Sequence, residues 1–276
     1  SPNCFVKISL KRQCIIDKII TNMKHLLILF VACTLSVQAQ TWGNKEYWIS
    51  YEYTPKKGER AAFEKAVATK TKKWNNSPET AIFTFEVLNG PNAGTYERWV
   101  VRKDRAFFDQ DFSAEIAYWD KNVAATIADE SGQQTWRRFK GSSYGWDNET
   151  ATPNKFYQQN RVIVKQGMTN EFLRVHERFA KLMKKLEYTG NHTVFRIENG
   201  GNTREFAVVY GYDQHGGEGS GTFMGLEDGV NVEDAYNKMF GYDAWSKDWE
   251  ANRSAIELWG SLAQKTKFRP DLSTQF

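Results

Sequence analysis

What most limits the folds open to this chain is an order of elements that occurs twice. It first begins at Tyr47-Trp48-Ile49-Ser50-Tyr51-Glu52-Tyr53, an aromatic and β-branched run that predicts a strand. Pro55 and Gly58 interrupt it, and Glu59 to Trp74 then places Phe63, Ala66, Val67 and Lys70 at helical spacing. Thr80 to Leu88 predicts a second strand, Asn89-Gly90 a turn, and Gly94 to Val101 a third strand; Ser113 can cap a helix through Ile116 and Trp119. The second occurrence runs from Arg161-Val162-Ile163-Val164-Lys165 through Gly167 to an amphipathic helix, Glu171 to Leu186. A strand at His192 to Ile197, a turn at Asn199-Gly200-Gly201 and a strand at Thr203 to Tyr210 follow, then helices near Val232 to Phe240 and Ala244 to Leu258. Thr135 to Lys140 and Leu262 to Phe268 are the expected closing strands, and the Gly-, Ser- and Asn-rich stretch 141–154 is an expected connector. Gly58 and Phe63 are spaced like Gly167 and Phe172, which predicts an internal duplication.

The stretch YTPKKGERAAFEKAV, followed by VLNGPNAGTY and a strand, resembles the dimeric α+β barrel superfamily. That group includes antibiotic-biosynthesis-type monooxygenases, stress-responsive barrel proteins and haem-handling relatives. The resemblance covers Tyr47 to about Lys140 well and Arg161 to about Phe268 more loosely, and its motifs carry no catalytic assignment. It implies an α+β chain of two tandem ferredoxin-like halves, 40–145 and 146–276, whose antiparallel sheets pack as one intrachain barrel around a cavity.

Ahead of these halves, Met23 to Gln40 (MKHLLILFVACTLSVQAQ) combines a basic start, an apolar run of ten residues from Leu26 to Leu35 broken only by Thr34, and a small residue at Ala39. That is the layout of a cleavable signal peptide over 23–39, and the apolar run is too short to span a bilayer. Residues 1–22 are expected to be a non-native leader, and the product beginning near Gln40 to be exported, periplasmic or secreted. Lipidation of Cys33 is the alternative. Cys4, Cys14 and Cys33 all precede the cut, so the remainder offers no thiolate chemistry. Of the 37 basic and 33 acidic residues, five basic and one acidic lie in positions 1–39, which leaves equal numbers in the rest. Without a basic excess, a nucleic-acid partner is not expected, and no transmembrane segment is expected beyond the signal.

Alternation along the strands assigns candidate ligand-binding residues. Trp48, Glu52, Glu86, Arg98, Arg161 and Arg196 are expected to face the barrel, with Tyr51, Tyr53, Phe83, Phe85, Phe195 and Ile197 under the helices. Carboxylates and guanidiniums in an aromatic cavity suit a small polar or aromatic ligand. His215, which heads the glycine-rich stretch 216–221, and Glu52 are the candidates for moving a proton. His176, His192 and His215 form no HxH or HExxH spacing, so neither a metal nor a cofactor is expected; His176 reads as a surface or boundary residue. Three readings follow: a small-molecule binder with a sheet-lined cavity, a cofactor-independent monooxygenase or isomerase, and an interaction module that exposes Trp42, Trp146, Trp245 and Trp249.

Overall fold

The computed structural model describes residues 45–276 apart from 147, 149 and 215–228. The expected leader and signal, Trp42, and His215 with the glycine-rich stretch 216–221 lie outside the described residues. In chain order the elements are β1 (Glu46–Pro55), α1 (Arg60–Trp74), β2 (Ile82–Val87), β3 (Tyr96–Lys103), α2 (Ser113–Asn122), β4 (Ile127–Glu130) and β5 (Gln134–Arg138). There follow β6 (Phe156–Ile163), α3 (Thr169–Lys185), β7 (His192–Asn199), β8 (Glu205–Tyr212), α4 (Val232–Phe240), α5 (Ala244–Ala255) and β9 (Leu262–Phe268). The expected helices and closing strands are present; β4 is an addition the sequence did not announce.

All pairings are antiparallel, and eight strands close a ring in the order β1-β3-β2-β9-β6-β8-β7-β5 and back to β1. Strand β4 lies against the far end of β1. Within residues 46–138 the order is β2-β3-β1-β5, and within 156–268 it is β7-β8-β6-β9. Two seams join these groups: β2 to β9 through Phe85↔Phe268, Glu86↔Lys267 and Val87↔Thr266, and β5 to β7. Gly58 and Gly167, each two residues before a helix, have φ of +84° and +82°, a left-handed backbone that costs glycine least.

Closing the ring gives each strand two water-poor faces, an inner one and one under the helices. Trp48, Phe83, Phe85, Trp99, Trp136, Phe195 and Ile197 fill the inside. Burying each such side chain contributes about 1.5–3 kcal/mol. This corrects the expected register: Phe83, Phe85, Phe195 and Ile197 lie within the barrel rather than beneath the helices. Apolar residues do seek burial here, but a closed ring offers its interior as the drier of the two faces. Trp146, expected to be exposed, also belongs to this interior. The connector carries it into the barrel, with ring centroids 5.3 Å from Trp48 and 6.2 Å from Phe83, and its Nε1 donates to Thr193 Oγ1 at 2.8 Å.

Outside the ring, α1 buries Phe63 and Val67 against Tyr53 and Tyr96, and α3 buries Phe172, Val175, Phe179, Leu182 and Met183. Helices α3, α4 and α5 are tied by Asp248 of α5. Its carboxylate accepts from Arg174 and Arg178 at 2.8 Å each and from the Tyr236 hydroxyl at 2.7 Å. Trp245 and Trp249 pack into this cluster rather than standing free.

Candidate ligand-binding site

Two spaces bear on the expected cavity. Inside the barrel the void is only about 40 Å³, bordered by Trp48, Phe85, Glu97, Trp99, Trp146 and Tyr157 among others. The barrel is therefore packed rather than hollow. The larger space, about 700 Å³, lies on the outer face of residues 46–138. Its floor is Ile49, Tyr51 and Tyr53 of β1, Ile82 of β2, and Arg98 and Val100 of β3. Its roof is Phe107, Phe108 and Phe112, with Ile116 and Trp119 of α2. Ile116 and Phe108 are exposed at its margin.

The six expected ligand residues divide between the two faces. Trp48, Glu52 and Arg161 are on the inner face, as alternation predicts. Arg161 donates to Glu205 at 2.5 Å and to Glu52 at 3.3 Å and lies 5.2 Å from the Trp136 ring centre. These groups satisfy one another beside Glu97. Glu97 is wholly buried and accepts from Gln264 at 2.6 Å and Trp99 at 3.1 Å; burial and the neighbouring Glu52 charge push it up to about 7. Glu86, Arg98 and Arg196 instead face outward, a correction to the expected register. Glu86 pairs with Arg60 of α1 at 2.6 Å and with Arg269 at 3.4 Å. Arg196 pairs with Glu198 at 2.6 Å and lies over Phe139. Tyr96 and Val100 share the face of Arg98 and carry it beneath the helices.

Arg98 alone of the six lines the large cavity, and its surroundings are unusual for a cation. It is 2 % exposed. Its Nε donates to Thr84 Oγ1 at 3.2 Å and its Nη2 to Thr71 Oγ1 at 2.7 Å, and the guanidinium lies 5.4 Å from the Trp119 ring centre. No described carboxylate forms an ion pair with it, and Nη1 has no partner among the described residues. Burial pulls the guanidinium down to about 10. Beside it, Lys70 donates to Asn75 Oδ1 at 2.7 Å and pairs with Glu115. Burial, with Arg98 nearby, lowers the Lys70 ammonium to about 8.

Sequence reasoning missed Lys70, Asn75, Tyr51, Tyr53 and Trp119 as cavity residues. One signal was present: Lys70 continues the apolar stripe of Phe63 and Val67, where a lysine is out of place unless it serves something buried. Among the described residues the cavity lining contains no histidine, cysteine or methionine. The buried histidines, His176 of α3 and His192 of β7, stack at 5.3 Å under Phe179 and Trp249. No cluster of three metal-ligating side chains occurs among the described residues.

No family model matches the sequence, and no curated protein matches it. Solved structures do. A candidate monooxygenase from Lactobacillus acidophilus NCFM aligns over 84% of this chain and 96% of its own, with TM-score 0.55 and 9% identity. A candidate monooxygenase from Fusobacterium nucleatum covers 81% and 92%, with TM-score 0.48 and 11% identity. A haem-binding protein from Thermus thermophilus covers 82% and 92%, with TM-score 0.43 and 10% identity. The fold is that of dimeric α+β barrel proteins. At such identities the likeness extends to the fold and no further.

Proposed function

We propose that this chain is an exported small-molecule-binding protein whose ligand sits between sheet and helices, not inside the barrel. The carrying observation is the contrast between about 700 Å³ outside and about 40 Å³ inside. The outer space falls in the usual size range of ligand pockets, and it combines an aromatic wall with a few buried polar groups. The equivalent face of residues 156–268 is packed by Phe179, Tyr210, Tyr236, Trp245 and Trp249, so the proposal is for a site in the first half. A thermal-shift screen of the mature protein against metabolites tests it, because a ligand of the native state raises the melting temperature. Val100→Trp, which fills the floor, is expected to abolish any shift; a shift unchanged in that variant places the site elsewhere.

We also infer that the chain is a tandem duplication of ferredoxin-like halves. Support comes from the matching strand orders and from Gly58 and Gly167 before α1 and α3. Export rests on Met23 to Gln40; mass spectrometry of the secreted product is expected to find an N-terminus near Gln40, and a lipid on Cys33 would overturn free secretion. A second reading, a cofactor-independent oxygenase, is favoured by Lys70, whose lowered ammonium would supply some free amine near neutral pH as a proton acceptor. Ligand-dependent oxygen consumption that is lost in Lys70→Met tests it.

A further inference from the structure

The proposed cavity contains a buried cation with no carboxylate in contact, and this carries an inference about the ligand. It rests on the reading that the cavity is the binding site. A guanidinium withdrawn from water is costly unless it is paired, and it finds its partner in a carboxylate or in a bound anion. Arg98 is 2 % exposed, yet its described donors reach only the hydroxyls of Thr71 and Thr84, groups without charge. Glu115 on the roof attracts the guanidinium through space, but its carboxylate is in contact with Lys70 instead. The remaining lining carboxylates, Glu79, Asp120 and Glu130, are exposed to solvent, where water and salt screen them. Trp119 closes one side of the guanidinium, and the Tyr53 hydroxyl has no protein partner among the described residues. The walls beyond are Ile49, Ile82, Val100, Phe107 and Phe112.

We propose that the cavity takes an organic anion: a compact oxyanion group of the carboxylate type bonded to Arg98, with an apolar, preferably aromatic body against Trp119 and the phenylalanines of the roof. Arg98 is the residue that selects for charge. Lys70, held by Glu115 and Asn75, adds positive potential without meeting the anion directly. The acidic margin does not reverse this choice, because a screened charge in water counts for less than an unscreened one in the interior.

Calorimetric titration with paired probes tests the assignment: benzoate against benzamide, and 2-naphthoate against 2-naphthamide. Each pair matches in shape and differs in charge. Wild-type protein is expected to bind each acid at least tenfold more tightly than its amide. Arg98→Met is expected to bring that ratio to about one while leaving the amides within threefold of their wild-type affinity. The wild-type comparison decides the matter even if Arg98→Met fails to fold. Amides that bind wild-type protein as well as the acids overturn the anion assignment and leave the cavity standing. Acids that bind Arg98→Met and Val100→Trp as tightly as wild type show an anion site elsewhere and overturn it too. If no probe binds, and the metabolite screen also raises no shift that Val100→Trp removes, the site and the anion fall together.

Discussion

His176 and His192 illustrate how a single side chain couples this fold to pH. Both are wholly buried, and none of their four ring nitrogens closes a hydrogen bond; Asn252 approaches His176 with its own Oδ1 also unpartnered. Burial holds His176 down to about 4, and burial with the His176 neighbour holds His192 well below its usual 6.5. The unfolded chain therefore takes up protons that the folded chain refuses, and stability is lost as pH falls from about 6.5 towards 4. Each histidine contributes about 1.4 kcal/mol per pH unit to that slope. Glu97 acts in the opposite sense. Raised from 4.5 to about 7, it binds a proton more tightly in the folded state, so its contribution is lost as pH rises through that window. Urea titrations at pH 5, 6 and 7.5 should separate the two: His176→Phe flattens the acid loss, whereas Glu97→Gln removes the opposing trend and favours the variant at higher pH. Glycines give a second test at this scale. Gly58 and Gly200 share a φ near +84°, but a Cβ on Gly58 meets open space, while one on Gly200 would lie 2.2 Å from the Gln133 carbonyl oxygen. Gly58→Ala is expected to cost about 1 kcal/mol from the left-handed backbone alone, and Gly200→Ala substantially more, read from the same urea curves.

Among the elements, the three helices over residues 156–268 depend on one carboxylate. Asp248→Ala leaves Arg174, Arg178 and the Tyr236 hydroxyl without their shared acceptor. Because both arginines are about a third exposed, water takes up part of the loss, and the expected cost is about 2 kcal/mol. Asp248→Asn should recover some of it. This scale also marks what the sequence made legible. The pattern locates strand β9 to the residue, and α1 and α3 to within about two residues, because aromatic alternation and apolar spacing specify an element without reference to its neighbours. The faces of β2, β3 and β7 were not legible. The inner faces of β2 and β7 carry Phe83, Phe85, Phe195 and Ile197, whereas the helix-side face of β1 carries Ile49, Tyr51 and Tyr53. Both faces accept apolar residues once the ring closes, so local pattern could not say which was inside. Arg98 went beneath the helices against the rule that charges avoid burial, and that exception singles out the site.

For the whole molecule, the connector matters more than its composition suggested. Glycine and serine made residues 141–154 look like a passive link, but Trp146 enters the barrel and seals its aromatic filling. Trp146→Ala should cost about 3–5 kcal/mol and enlarge the small internal void enough for the variant, unlike the wild type, to be restabilised by added indole. Thermal melts with and without indole measure this.

The seam between β2 and β9 has a mechanical meaning. Each group of four strands carries its own helices and its own layer of apolar packing beneath them. The interior is shared, and three residue pairs close it on the β2–β9 side, with residues 269–274 laid over the seam: Leu272 packs with Phe63 and Val67, and Thr274 Oγ1 accepts from the Ile82 amide. The molecule is thus built like a locket, two four-stranded lids closed along two seams. Thr84 and Leu272, which fasten the clasp from opposite ends of the fold, stand 188 residues apart in the chain. Contacts so distant in sequence form late when the protein folds and are natural candidates to yield first when it is stressed. The amides of Phe85 to Val87 should then exchange with solvent before those of β6 and β8. A locket opened at that clasp would present Trp48, Phe85 and Phe195 to whatever hydrophobic surface lay nearby.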